Sequence, residues 1–104
     1  MNLNTCEMAI KPDYCMKVKG DCMANAGILD GAIVFIKQQD SVKDGEIGAV
    51  KLDGEPMIKH VYYYPGYVVL QPASPGYKSY LIRDDERNRL EFLGKVIGYQ
   101  FMFK

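Results

Sequence analysis

Apolar residues at a period of two, cut at short intervals by Gly, Pro and Asp, run through most of this chain and leave little room for long helices. The clearest instance is residues 45–52, then Asp53-Gly54, then residues 55–64. Asp-Gly supplies the positive φ angles that a two-residue hairpin turn demands, and the turn sets the register. Leu52 then faces Glu55, Val50 faces Met57 and Gly48 faces Lys59. Further strands are expected at 14–19, 32–37, 67–71 and 78–82, with a long or bent one at 90–103. Residues 22–28 are the candidate for one short helix, and 83–89, with its interleaved charges, reads as a solvated turn. At 104 residues the chain is long enough for a real core and too short for two domains. The expected fold is mostly β, a small domain of twisted antiparallel sheets and hairpins with one short helix. Residues 1–13 are read as a lead segment and 14–104 as the domain.

On a pleated strand, Met57, Lys59, Val61 and Tyr63 share one face of the hairpin's second arm, and Ile58, His60 and Tyr62 share the other. Lys59 therefore lies on an apolar stripe. Removing a lysine from water disfavours its charged form, which makes a neutral amine available as a proton acceptor. The plainer alternative is a stem laid on the stripe with its head in water. His60 faces the other way and is expected to be a half-exposed sheet residue.

Upstream, Gly20-Asp21-Cys22-Met23 follows directly on the first alternating strand, so the strand's end delivers Cys22 to a turn. A thiol in such a turn is a candidate nucleophile if a base is near, and otherwise an ordinary small buried cysteine. The three cysteines, Cys6, Cys15 and Cys22, are odd in number and lack metal-ligand spacing. They read as free thiols in a reducing compartment, with no zinc, other metal or cofactor expected. The 13 basic and 13 acidic residues cancel, which argues against direct nucleic-acid binding. The tyrosines at 62–64 and 67 accordingly read as strand aromatics, not a base-stacking platform. No apolar run approaches the roughly 20 residues that span a bilayer, and no basic-then-apolar signal opens the chain. The expected location is the cytoplasm, away from membranes.

These pieces together resemble the self-cleaving Ser-Lys peptidase domain of LexA, UmuD and the phage repressors. The resemblance rests on Gly20-Asp21-Cys22-Met23 with the following residues 24–31, on Gly54-Glu55-Pro56-Met57-Ile58-Lys59-His60-Val61, and on Gly94-Lys95-Val96-Ile97-Gly98. It implies Cys22 in the place of the serine nucleophile, Lys59 as general base, and Gly20, Asp21 and Met23 in the loop that presents the nucleophile and its oxyanion donors. Ala32 departs from the pattern, which carries a second aspartate after Asp30-Gly31.

Cysteine also alters the chemistry. A thiol beside a lysine can exist as a thiolate facing an ammonium, and sulfur's longer bonds move the carbonyl against the oxyanion donors. The resemblance further implies a homodimer through the apolar C-terminal strand, a RecA filament as partner, and an upstream linker with a small-residue–Gly bond as substrate. Ala26-Gly27 has that composition but leaves Cys22 in a turn and cannot also lie extended across it. The chain is read as the catalytic and dimerisation domain of a longer regulator. Two readings stay open: an endopeptidase variant, and a catalytically silent dimerisation and sensing module. Signal peptidase, which shares fold and dyad by resemblance, ranks last because those enzymes carry a membrane anchor.

Overall fold

The computed structural model describes residues 11–101. Seven strands are described there: β1 (Tyr14–Lys17), β2 (Ile33–Gln38), β3 (Ile47–Leu52), β4 (Glu55–Tyr64), β5 (Tyr67–Gln71), β6 (Tyr80–Arg83) and β7 (Leu90–Gln100). All join one antiparallel sheet in the order β1-β2-β7-β3-β4-β5-β6. The fold is thus mostly β, as the two-residue period requires, although a single continuous sheet takes the place of several.

The β3–β4 hairpin has the expected register, with Leu52 opposite Glu55, Val50 opposite Met57 and Gly48 opposite Lys59. Asp53 and Gly54 carry φ of 53° and 84°, the left-handed pair such a turn needs. Ala49 and Val50 are both fully buried, yet they belong to different apolar clusters. Neighbours on a strand point to opposite faces, so the sheet carries one core on each side. Met23, Ile28, Val34, Ile36 and Ile58 fill the first, towards β1 and β2. Val61, Val68, Leu70, Ile82 and Leu90 fill the second, towards β5 and β6.

Three expectations change. The helix expected at 22–28 shortens to one 3₁₀ turn, Ala24–Ala26. Here Ala26 and Gly27 bond three residues back while the Asn25 N–H is drawn off to the Ala73 carbonyl at 2.7 Å, so no α-helical ladder can propagate. The turn at 83–89 is a 3₁₀ helix, Asp84–Arg89, tied to the hairpin turn by Arg89, whose Nε and Nη2 donate to Asp53 at 2.9 and 2.8 Å.

The last strand is not a simple edge. β7 pairs with β3 over residues 90–95 and with β2 over residues 94–100, so it lies between the two at Gly94 and Lys95, and beyond Lys95 its β3 side stays open. Residues 102 and 103 of that expected strand lie outside the described residues. The strand bends because it carries two bulges: pairing to β3 skips Leu93, and pairing to β2 skips Ile97. Among the described residues, no helix is long and apolar enough to cross a membrane.

Candidate active site

Cys22 leaves the sheet two bonds after β1 has finished pairing, since Val18 still donates to Ala32 at 2.8 Å and accepts from Gly31 at 2.8 Å. The turn that follows is held from three sides. Asp30 Oδ1 accepts the Gly20 N–H at 2.7 Å. The Cys22 carbonyl accepts the Ala73 N–H at 2.8 Å, and Tyr77 donates its hydroxyl to Asp21 Oδ1. That carboxylate pushes the Tyr77 phenol above its ordinary value, with burial adding to the effect. Met23, 1% exposed, anchors the turn in the first core.

Lys59 comes from the middle of β4. Ile58 and Lys59 are consecutive and only 6% and 7% exposed, so both faces of β4 are covered at that point. By parity Lys59 starts on the face of Met57 and Val61, in the second core, whereas Cys22 packs against the first. Its Nζ curls back over its own backbone, donating to the Ile58 carbonyl at 3.3 Å, and meets Cys22 Sγ at 3.2 Å. Gly48, directly opposite on β3, adds no side chain there, and a Cβ at that position would come within 3.0 Å of Val61. Lys59 is the only charged side chain buried among the described residues.

The pair lies where two open grooves meet. One, of about 460 Å³, runs between residues 16–19 and the 55–59 arm of β4 and is lined by Met16, Val18, Met23 and Ile58 among others. The second, of about 400 Å³, continues past Met57 to Tyr77, Lys78 and Tyr80. Both reach Cys22 and Lys59. Gly20 spends its N–H on Asp30, but those of Asp21, Cys22 and Met23 have no backbone acceptor among the described residues. Such donors beside a nucleophile are what an oxyanion hole is built from.

Of the residues singled out in the sequence, Gly20, Asp21, Cys22, Met23 and Lys59 are brought together. His60 stays apart, half-buried, with its Nδ1 3.0 Å from the Gly45 carbonyl. Asp30, Ala73 and Tyr77 were not foreseen as part of the site. Asp30 lay in a quoted motif, but the 72–79 loop carries no local signal that it folds back over Cys22. No group of three or more His, Cys, Asp or Glu placed to hold a metal ion occurs among the described residues.

Residues 3–97 match the model of the Peptidase S24-like family. Among curated proteins, the chain is 38% identical over 85 residues to a LexA repressor of Acetivibrio thermocellus, covering 82% of this chain and 38% of that protein. It is 36% identical over 85 residues to a LexA repressor of Geobacter metallireducens, covering 82% of this chain and 42% of the relative. It is also 46% identical over 66 residues to LexA repressor 2 of Pseudomonas putida, covering 64% of this chain and 33% of the relative. The chain thus spans about two fifths of the length of the first two of these relatives. With a family match over nearly its whole length and relatives 36–38% identical over four fifths of it, this chain belongs to the Peptidase S24-like family.

Proposed function

We propose that this chain is the peptidase-type domain of a LexA-like regulator and cuts an extended peptide segment tethered to it, with Cys22 as nucleophile and Lys59 as base. The observation that carries the reading is the 3.2 Å approach of a 7%-exposed lysine to a half-buried thiol at the junction of two open grooves. A peptide lying along the grooves presents a carbonyl carbon to Sγ. The thiol proton passes to Nζ as sulfur attacks, and the negative charge developing on the carbonyl oxygen falls to the N–H groups of the Cys22 turn. Nζ then returns the proton to the leaving amine, and water releases the acyl group from sulfur.

The open side of β7 beyond Lys95, with Tyr99 and Phe101 half-exposed, supports pairing with a second copy. Residues 14–104 are the folding unit in this reading, and residues 1–13 lead into it.

One observation favours a second reading. Sulfur at the nucleophile position changes bond lengths against donors set for oxygen, so the domain could keep the fold and dimer while losing the cut. Incubation with a linker peptide containing an Ala-Gly bond, comparing the chain itself with Cys22→Ser and Cys22→Ser/Lys59→Ala, separates the two. The peptidase reading expects cleavage by the first two and none by the third. Cleavage by the serine form alone identifies a disabled enzyme, and no cleavage by any form sinks the proposal.

A further inference from the structure

A thiol in the place of a hydroxyl can undergo a reaction that serine cannot. Cys22 is half-buried, but it opens onto two grooves, so a small solute can reach its sulfur. The sulfur is not isolated. A lysine more than nine-tenths buried donates to it, from a nitrogen that also donates to the Ile58 carbonyl. The residue also lines both grooves, and its nitrogen is held 3.2 Å from sulfur. An oxygen bound to that sulfur would lie within its reach. Cys15 offers an internal contrast: it is exposed on β1 and has no hydrogen bond from any cation among the described residues.

The geometry points to Cys22 as a site of reversible oxidation by hydroperoxides, with Lys59 as the residue that promotes the reaction and holds its product. A sulfur lone pair attacks the terminal oxygen of the hydroperoxide and the O–O bond breaks. The thiol becomes a sulfenic acid, and the alcohol, or water when the oxidant is hydrogen peroxide, departs with the proton the thiol gave up. The new oxygen accepts an N–H of Lys59, whose nitrogen is already within reach of the sulfur. Two equivalents of a small thiol reverse the step, forming their own disulfide and water and restoring Cys22. While oxidised, the sulfur cannot attack a carbonyl. This modification does not depend on the chain being a peptidase, because it needs only the thiol, the lysine and access.

The test exposes the chain in a Cys6→Ser background to hydrogen peroxide in the presence of dimedone, which traps sulfenic acids, and follows labelling of Cys22 and Cys15 by peptide mass spectrometry. Cys22 is expected to label at least about tenfold faster than Cys15 despite being less exposed, and prior dithiothreitol treatment of the oxidised protein is expected to abolish the label. Lys59→Met is expected to remove that advantage, and Lys59→Arg, which keeps a cation, to restore part of it. Unchanged Cys15 labelling and unchanged far-ultraviolet circular dichroism certify that the variants remain folded. Equal labelling of the two cysteines, or a Cys22 rate indifferent to Lys59→Met, would overturn the proposal. Peptide cleavage measured on the same preparations reports separately on the peptidase reading.

Discussion

Lys59 was legible in the sequence because a hairpin is a local object. Asp53-Gly54 sets the register and parity does the rest, so its place on an apolar stripe follows from a dozen residues. What parity could not supply is the return of its Nζ over its own backbone to a sulfur 37 positions away in sequence. Nor could any local rule supply the supports of the Cys22 turn. Asp30, Ala73 and Tyr77 bond to Gly20, Cys22 and Asp21 across 10, 51 and 56 positions, and such pairings are decided by the finished fold. Asp30 fastens the turn, and Ala32, fully buried, serves the core. Asp30→Ala is accordingly expected to slow cleavage by the Cys22→Ser form at least several-fold while lowering stability by no more than about 1 kcal/mol, measured by peptide assay and urea titration side by side.

Among the elements, β7 shows where sequence reading stops. Its apolar period was plain, but an apolar strand at a chain end looks the same whether it closes an edge or is inserted between two others. Insertion between β2 and β3 demands a close approach at Gly94, where a Cβ would strike the Lys37 carbonyl and the Ile36 side chain. Gly94→Ala should therefore destabilise the domain by about 1–3 kcal/mol in urea unfolding, because backbone cannot step aside as a flexible side chain can.

The hairpin turn makes a second prediction at this scale. Its fork to Arg89 holds the Asp53 carboxyl below the usual carboxylate range, and Lys95 and the Lys43 N–H do the same for Glu46. A carboxyl whose pKa is depressed by folding contributes stability that is complete above the unfolded value and is lost as pH falls through the folded one. The urea midpoint should thus decline below about pH 4 to 4.5, and Asp53→Asn should make that decline shallower. A midpoint that rose on acidification would contradict the assignment.

At the scale of the whole molecule, two cores on opposite faces of one sheet leave the site where they meet. Cys22 is anchored through Met23 and Ile28 in the first core, and Lys59 springs from the face of Val61 in the second. The distance between them therefore depends on how the sheet is curved, which no segment of the sequence reports by itself. The open stretch of β7 gives the molecule its proposed contact with a second copy. Tyr99→Lys with Phe101→Lys should shift the species seen in sedimentation velocity towards monomer without lowering the urea midpoint of the subunit, whereas an unchanged dimer would place the contact elsewhere.

The central claim is that a buried lysine governs the chemistry of the Cys22 sulfur, and iodoacetamide tests it with the fewest assumptions. At neutral pH the half-buried Cys22 should alkylate faster than the exposed Cys15, and Lys59→Met should erase the difference while leaving Cys15 unaffected. Alkylation of Cys22 at the same rate in both proteins would contradict the account.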